Sequence, residues 1–328
     1  MRRTRLSKPS HLGVVGAVFA LAALLLAACG SSGDGTKSAT TTTAAASAAA
    51  NGTCAGFKGS GNITVGGTNF SEQEIVAEMY AQCLQAAGYN VSKKLKIGSR
   101  EIVLPALEKG DIDVYPEYVG TLLTFLKGTP TSDAQKTLSD LQTALKDKNL
   151  QVLTPSAAED KNGFAVTKAT ADKYKLTKIS DLAPVASQLV FGAGPECDQR
   201  PLCLVGLRST YGLTFKEVKK LDSGGPLTKD ALEKGDIDVG LIFTSDGAVA
   251  ARGFVVLQDD KNLQPPDNVV PIVRTAVLQG DLQKLLDSIS AKMTTASLSA
   301  LNKSVDIDKA DPADVAKGWL QDNGFLKK

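Results

Sequence analysis

The nine residues ALEKGDIDV occupy positions 106–114 and recur, letter for letter, at positions 231–239. The first copy continues as YPEYVGT and the second as GLIFTSD. Each copy is typical of a helix that ends at a glycine, Gly110 or Gly235, in the left-handed conformation that closes a last turn. The DIDV that follows predicts a tight turn into a strand. The repetition indicates two similar α/β units in one chain, whether they share an ancestor or converged on one connector.

The segments around the first copy alternate between short apolar runs and helical runs. Ser71 and Glu74 have the spacing of a helix-capping box, and apolar residues recur behind them every four positions. The predicted order is strand, helix, strand, helix, strand, over 63–67, Ser71 to Gly88, 91–97, about 100–109 and 111–115. A βαβαβ order predicts a parallel sheet that is covered by helices.

The same order returns around the second copy, and the chain ends in helices. Strands are predicted at 185–193, 215–221 and 237–243, with a helix at 202–212. Asp311 followed by a proline predicts the start of a terminal helix. Ligands of open α/β sheets bind beyond the carboxyl ends of the strands. The segments YPEY and FTSD are therefore expected on equivalent ligand-facing edges of two sheets.

The first 28 residues have the parts of a bacterial secretion signal. The basic segment MRRTRLSKPSH precedes the apolar run LGVVGAVFALAALLLAA, and Cys29 follows at once. The sequence LAAC resembles the lipobox, where lipid is attached to the cysteine and the chain is cleaved before it. Residues 1–28 are thus predicted to be a lipoprotein signal peptide; the alternative is an ordinary signal peptide with a chance cysteine. Residues 29–56, rich in small residues, predict a flexible tether that holds the protein on the extracytoplasmic face of the cell membrane.

Four cysteines remain besides the predicted lipid site, and an even number in an oxidising compartment predicts two disulfides. Four cysteines permit three pairings. We favour Cys54–Cys83 and Cys197–Cys203, because each pair then lies within one structural neighbourhood. A zinc site is disfavoured, since these cysteines lack the CxxC spacing.

The single histidine, His11, lies inside the signal peptide. The mature chain therefore has no Ser-His-Asp or Cys-His catalysis and no histidine-ligated metal, and we predict neither a metal nor another cofactor. The formal net charge is +2. Without the four basic residues of the signal it becomes −2, from 33 basic residues (37 − 4) against 35 acidic ones. This balance predicts no nucleic-acid partner.

Two long stretches, TVGGTNFSEQEIVAEM (64–79) and ALEKGDIDVYPEYVGTLL (106–123), and the shorter KNGFAVTK, GPECDQRP, FTSDGAVAARGFVVLQDD and PPDNVVPIVR follow one another between about residue 60 and residue 275. Together they resemble the substrate-binding lipoproteins of ABC transporters for glycine betaine, choline and related osmoprotectants. The YPEYxGT segment and the NFSEQ segment are the most specific of these matches. The last 53 residues, 276–328, match only in being helical.

The resemblance implies the α/β, bilobal periplasmic-binding-protein fold. Two mixed or parallel sheets flanked by helices would enclose a hinged cleft. Lobe 1 would comprise 57–162 plus 268–328, and lobe 2 would comprise 163–267. A small-molecule solute would bind in the cleft, and the lobes would close around it as rigid bodies.

In such proteins a ring of aromatic side chains encloses the trimethylammonium head through cation–π attraction. Matched motif by motif, this ring falls on Tyr118, Phe164, Phe243 and Asp267. Asp267 departs from the family, which has a tyrosine there. The carboxylate is expected either to attract the cation directly or to bond with a hydroxyl-bearing ligand.

The resemblance also implies donors for a ligand carboxylate. Arg200 lies where the family keeps an arginine, whose planar fork suits a carboxylate, and Thr121 matches a family hydroxyl. Thr68 replaces a frequent lysine and so removes one positive charge. Asn162 and Glu101 are further candidates for the wall of the cleft.

These observations predict the extracytoplasmic receptor of an ABC importer, not an enzyme. It would capture a small quaternary-ammonium solute, such as glycine betaine or choline, and deliver it to permease and ATPase subunits. Asp267 leaves open an alternative in which the same fold binds a polyol or an aromatic compound. Two other classes remain: a secreted hydrolase that uses Glu101, Asp111 or Glu117, and an adhesion lipoprotein with an empty cleft.

Overall fold

The structure, a computed structural model, describes residues 53–328. The predicted signal peptide, Cys29 and most of the predicted tether lie outside these residues. The strands are β1 (Asn62–Gly66), β2 (Asn90–Lys94), β3 (Val114–Tyr118), β4 (Leu150–Val152), β5 (Asn162–Thr167), β6 (Val190–Ala193), β7 (Glu217–Lys220), β8 (Val239–Phe243), β9 (Phe254–Val256) and β10 (Val269–Arg274). The helices are α1 (Ser71–Ala86), α2 (Arg100–Lys109), α3 (Val119–Phe125), α4 (Ala134–Lys146), α5 (Lys168–Tyr174), α6 (Leu204–Tyr211), α7 (Pro226–Lys234), α8 (Ala248–Ala251), α9 (Leu282–Ser290), α10 (Thr295–Asp306) and α11 (Pro312–Asp322).

The strands form two five-stranded mixed sheets of the same design. Their orders are β2-β1-β3-β10-β4 and β7-β6-β8-β5-β9. In each sheet the first three strands in this order are parallel to one another. The fourth strand, β10 or β5, is antiparallel to both of its neighbours. Each sheet with its helices is one lobe. The strands β3 and β8 hold the same central position, so their carboxyl ends define the edge at which a ligand is expected in each lobe.

The repeated nonapeptide builds the same connection into both lobes. The second aspartate of each copy clamps the neighbouring parallel strand: Asp113 Oδ2 accepts from Thr64 N–H, and Asp238 Oδ2 accepts from Val190 N–H, each at 2.8 Å. The backbone N–H groups of the same aspartates donate to the carbonyl oxygens of those two residues. One short segment therefore fixes the register of a central strand against its neighbour.

The isoleucine of each copy fills a space that is left open by a glycine. A Cβ at Gly66 would lie 2.4 Å from Ile112 Cδ1, and one at Gly192 would lie 2.5 Å from Ile237 Cδ1. Both isoleucines are buried. The identity of the two copies thus reflects identical packing demands at the same place in each sheet.

Helices cover both faces of the first sheet. One core joins Val65 and Val114 with α1 and with the terminal helices, through Leu285 and Leu320 among others. The core on the opposite face joins Ile112 and the strands β3 and β10 with α2, α3 and α4. The terminal helices thus pack on the first sheet, and the second sheet has two cores of its own.

Both disulfides have the pairing that the sequence favoured. Cys54 is bonded to Cys83 and joins the first turn of the described chain to α1. Cys197 is bonded to Cys203 in the loop before α6.

Three local predictions were wrong. Ser71 is not a cap, because α1 begins at Ser71 itself and its hydroxyl donates to Asp306 Oδ1 at 2.6 Å. The apolar run at 185–193 begins with a short 3-10 turn, so the strand starts only at Val190. The strand predicted at 111–115 begins three residues later, at Val114. Asp113 belongs instead to the preceding turn, where its side chain accepts a hydrogen bond from Thr64 of β1.

Two extended segments connect the lobes side by side. The first leads from β4 to β5 and the second from β9 to β10. Asp160 N–H donates to the Asp267 carbonyl oxygen at 3.0 Å, and Glu159 and Asn268 form a bridge between the segments. We name this double connection between the lobes the hinge region, and it lies directly beside the edge where β3, β5 and β8 end or begin.

Candidate functional site

A cavity lies between the lobes, and the space not filled by atoms there amounts to about 600 Å³ when the part open to solvent is included. It adjoins the last residues of β3 and β8, the first residue of β5 and the hinge. Its walls are formed by Phe70, Arg100, Tyr118, Thr121, Thr124, Phe125, Asp160, Asn162, Arg200, Pro201, Leu202, Phe243 and Asp267. Of the residues predicted from the sequence, the structure brings together Tyr118, Thr121, Asn162, Arg200, Phe243 and Asp267.

Three aromatic rings form a stacked wall of this cavity. Phe70 lies between the other two, with ring centroids 6.4 Å from Tyr118 and 5.0 Å from Phe243 and interplanar angles of 21° and 26°. Tyr118 and Phe70 belong to the first lobe and Phe243 to the second. The wall therefore spans the cleft and brings three aromatic rings to it, the side-chain type whose faces attract a cation that lacks hydrogen-bond donors.

A buried carboxylate, that of Glu72, fixes the position of the Tyr118 hydroxyl. That hydroxyl donates to Glu72 Oε1 at 2.6 Å. Glu72 also accepts from Ser245 of the second lobe at 2.5 Å and from Asn302 of α10 at 2.6 Å. Burial, with Glu72 nearby, raises the pKa of Tyr118 well above its ordinary value, so the phenol stays neutral and fixed as a donor.

Arg100 lies in the cavity wall with its charge already compensated. Its Nε and Nη2 bond to the two carboxylate oxygens of Glu117 at 2.6 and 2.7 Å, and Nη2 also reaches Thr121 Oγ1 at 2.8 Å. Tyr115 and the Tyr118 backbone donate to the same carboxylate. This network fixes α2 against β3 and leaves Glu117 no role as a general base that is accessible to a ligand.

Asp267 caps a helix and faces the cavity. Its Oδ1 accepts from the N–H groups of Gly120 and Thr121, at 2.7 and 3.0 Å, at the start of α3. The residue is 1% exposed. Burial raises its pKa to about 7, although the two backbone bonds and nearby Arg100 oppose that shift. The carboxylate thus supplies a hydrogen-bond acceptor to the N-terminus of α3.

Arg200 contacts Glu101 across the cleft. Its Nη2 lies 3.0 Å from Glu101 Oε2, and its Nε and Nη2 lie 3.2 Å from Oε1. Burial alone would raise the pKa of Glu101, but hydrogen bonds from Arg200 and Ser99 lower it to about 2. Arg200 is therefore paired with a residue of the other lobe, and Glu101 acts on the cavity only through this pair.

Phe164 does not reach the cavity, which contradicts its predicted place in the ring. Asn162, the first residue of β5, pairs with Phe243 at the edge, and Phe164 pairs with Leu241 two residues further inside. The ring is fully buried and packs against Phe191. Side chains two positions apart share a face of the strand, so Phe164 lies under Asn162, in the core rather than at the edge.

Thr68 also lies outside this cavity. It borders a smaller adjoining space, together with Phe70, Arg100 and Tyr118. Its hydroxyl is buried and has no hydrogen-bond partner among residues 53–328. Asp111, a candidate for the hydrolase alternative, is exposed at the helix-to-strand turn, so the three carboxylates of that alternative do not converge.

Sequence reasoning missed several wall residues, chiefly Phe70, Arg100, Phe125 and Asp160. A signal was present for Phe70, because it follows β1 directly and so lies at a carboxyl end, where ligands bind. Arg100 had no comparable signal, since a basic residue at the start of a helix is usually solvated. The position of Asp160 in the cavity wall depends on the path of the hinge region, which no local sequence pattern encodes.

Residues 61–322 match the family of the substrate binding domain of the ABC-type glycine betaine transport system. The chain belongs to this family. The family consists of solute-binding proteins of transporters rather than enzymes, and the resemblance inferred from the motifs is confirmed.

Two curated relatives and one solved structure agree with this assignment. The glycine-betaine-binding protein of Pseudomonas aeruginosa is 29% identical over 292 residues, covering 83% of this chain and 93% of that protein. The glycine betaine-binding protein YehZ of Escherichia coli K12 is 25% identical, covering 81% of this chain and 92% of that protein. The crystal structure of a glycine betaine/carnitine/choline ABC transporter protein is 28% identical with a TM-score of 0.64, covering 80% of this chain and 99% of the other. The predicted bilobal α/β fold class is confirmed.

Two structural features are absent from residues 53–328. No helix in this range is long and apolar enough to span a bilayer. The same range contains no group of three or more His, Cys, Asp or Glu side chains arranged to hold a metal ion.

Proposed function

We propose that this chain captures a small quaternary-ammonium solute in the cavity between its lobes and delivers it to the permease and ATPase subunits of an ABC importer. The observation that carries the proposal is the stacked wall of Phe70, Tyr118 and Phe243 facing the buried carboxylates Asp160 and Asp267. Aromatic rings and carboxylates both attract a cation, and a trimethylammonium group has no N–H that would require a hydrogen-bond acceptor. The relatives from Pseudomonas aeruginosa and Escherichia coli are both glycine betaine-binding proteins, which supports the same solute class.

Isothermal titration calorimetry tests this proposal directly. Glycine betaine, choline, carnitine and proline betaine would each be titrated into the mature protein, with the tertiary amine dimethylglycine as a control that lacks the third methyl group. We expect saturable binding of at least one of the four with a one-to-one stoichiometry. No detectable binding of any of the four at millimolar concentration would reject the solute class and leave the fold assignment standing.

A second candidate ligand class follows from Asp267. Among residues 53–328 no donor reaches its Oδ2, and a ligand hydroxyl could supply one. The same fold would then bind a polyol or an aromatic compound with a hydroxyl group. A thermal-shift screen with sugar alcohols and hydroxylated aromatic compounds separates this candidate from the first, because a stabilising hit without any quaternary-ammonium hit would favour it.

We infer that the protein works on the extracytoplasmic face of the membrane, anchored by lipid on Cys29. The basis is the signal-like first 28 residues, the LAAC sequence and the tether composition. Mass spectrometry of the protein from membranes of a bacterial host should find an acylated N-terminal Cys29. A Cys29→Ser variant should lose the lipid and leave the membrane fraction, and retention of that variant in membranes would contradict the anchor.

A further inference from the structure

Two buried carboxylates of the cavity wall, Asp160 and Asp267, lie on the paired segments of the hinge. The backbone bond from Asp160 N–H to the Asp267 carbonyl oxygen, 3.0 Å long, holds the two residues side by side. Asp160 is 4% exposed and Asp267 is 1% exposed, and both line the cavity. We call them the hinge carboxylates.

The cations near the cavity are engaged elsewhere. Arg100 gives Nε and Nη2 to Glu117 and Thr121, and Arg200 is paired with Glu101. The remaining ionisable groups around the hinge carboxylates add negative charge or none. They are Glu72 of α1, and Tyr118 and Glu117 of β3. Asp246, which acts on Glu72, is already paired with Lys229 at 2.7 Å. Within residues 53–328 no cation is therefore bonded to a hinge carboxylate, and Arg100, whose charge acts on Asp267, gives its hydrogen bonds to Glu117 and Thr121.

Hydrogen bonds satisfy these carboxylates only in part. Asp267 Oδ1 accepts from two N–H groups of α3, while no donor within residues 53–328 reaches Oδ2. Asp160 Oδ1 accepts from Ser245 N–H at 3.0 Å. A carboxylate that is removed from water and lacks a counterion is stabilised either by a proton or by a cation.

We propose that the hinge carboxylates hold a proton in the solute-free protein and release it when a solute of net positive charge binds. The cavity then favours net cations over zwitterions of the same shape, because a zwitterion brings a carboxylate into a wall that is already acidic. This inference rests on the proposed function, since it concerns the same cavity.

The ionisation of both groups agrees with this exchange. Burial raises the pKa of Asp267 to about 7. Burial also raises the pKa of Asp160 well above its ordinary value, and the negative charges of Glu72 and Asp267 add to that rise. A bound cation favours the ionised carboxylates and lowers both pKa values, so binding releases protons and strengthens as the pH rises through the solute-free pKa.

Calorimetry with two ligands of matched shape tests the proposal. Glycine betaine is a zwitterion, and its primary carboxamide has nearly the same shape with a net charge of +1. We expect the carboxamide to bind about tenfold more tightly than glycine betaine at pH 8. With one group of pKa about 7, its affinity should be about tenfold higher at pH 8 than at pH 6. At pH 7, two buffers with different ionisation enthalpies should report the release of about half a proton per ligand.

Variants identify the group that releases the proton. Asp267→Asn keeps an acceptor for the N–H groups of α3 and should at least halve the proton release and reduce the preference for the carboxamide. Asp160→Asn is the second variant, in case the first fails to fold. Asp147→Asn, at an exposed residue of lobe 1, is the matched control and should change neither value.

Glycine betaine binding as tightly as the carboxamide, with a heat that does not depend on the buffer at pH 7, would overturn this inference and leave the proposed function standing. No detectable binding of either ligand, or of choline, carnitine and proline betaine, would overturn both this inference and the proposed function.

Discussion

At the scale of single residues, position relative to the sheet edge separates ligand-facing aromatic residues from core ones. Phe243 and Phe164 lie on neighbouring strands and were predicted for the same ring. The register pairs Phe243 with Asn162 at the edge and leaves Phe164 two residues inside. Phenylalanine therefore has two different roles in this sheet, and an offset of two residues along the strand decides which role each one has.

Exchange of each phenylalanine for leucine should separate these roles. Phe243→Leu removes a ring face from the cavity, so the dissociation constant for a quaternary-ammonium ligand should rise roughly 5- to 30-fold, equivalent to about 1–2 kcal/mol. Phe164→Leu leaves a void in the core and should lower the free energy of unfolding by about 1–2 kcal/mol, with little change in affinity. Calorimetry and urea denaturation of both variants measure the two effects. Weaker binding by Phe164→Leu without loss of stability would contradict its place in the core.

At the scale of secondary-structure elements, a buried ion pair fixes α2 against β3. Arg100 and Glu117 are both buried, and the bonds of Arg100 join α2 to β3 and to the start of α3. The pair thereby positions Tyr118, the next residue after Glu117.

Removal of one partner of this pair should be costly. Glu117→Gln leaves a buried guanidinium without its counterion and should lower the free energy of unfolding by about 3–5 kcal/mol. The double variant Arg100→Met with Glu117→Leu replaces the pair by apolar side chains of similar size and should lose less. Urea denaturation at pH 7 measures both. A single variant within about 1 kcal/mol of the parent would mean that the pair is not buried as described.

The two copies of the nonapeptide should respond differently to one identical substitution. Gly110 and Gly235 both have left-handed backbones, with φ of 85° and 77°. A Cβ at Gly110 would lie 1.9 Å from Arg274 Nη1, whereas a Cβ at Gly235 would meet nothing within 4 Å. Gly235→Ala should therefore cost only the backbone strain, about 1–2 kcal/mol. Gly110→Ala should cost more, because it also pushes Arg274 away from Asp113. Equal losses in thermal denaturation would contradict this difference.

At the scale of the whole molecule, polar contacts join the lobes on both sides of the aromatic wall. Glu101 of the first lobe meets Arg200 of the second. Lys229 of the second lobe lies 2.7 Å from Asp306 of the first, and Ser245 donates to Glu72. These contacts cross the cleft and hold the two lobes together in this arrangement.

The Glu101–Arg200 pair offers a test of lobe contact against ligand contact. Each partner is partly exposed, and an exposed pair contributes about 0.2–1 kcal/mol. If the pair only joins the lobes, Arg200→Gln and Glu101→Gln should each weaken solute binding by about 1.5- to 5-fold. The double variant should then be no weaker than either single one. A far larger loss for Arg200→Gln than for Glu101→Gln, measured by calorimetry, would show instead that Arg200 binds the solute.

The sequence by itself determined the α/β class, the two-unit plan and the family. The nonapeptide, the glycines that end its helices and the YPEY motif act through contacts within a short stretch of chain, where local geometry and side-chain packing are encoded together. The edge position of Tyr118 was predictable for the same reason, since a residue at the carboxyl end of a central strand faces the ligand edge whatever surrounds it.

The tertiary structure alone decided which side chains meet across the cleft. The stacking of Phe70 between the two lobes, the pairing of Arg200 with Glu101 and the proximity of Asp160 to Asp267 join residues that are far apart in the sequence. The burial of Phe164 follows from the register of β5 against β8. Charge compensation and burial depend on distances between distant segments, and no local pattern of residues specifies those distances.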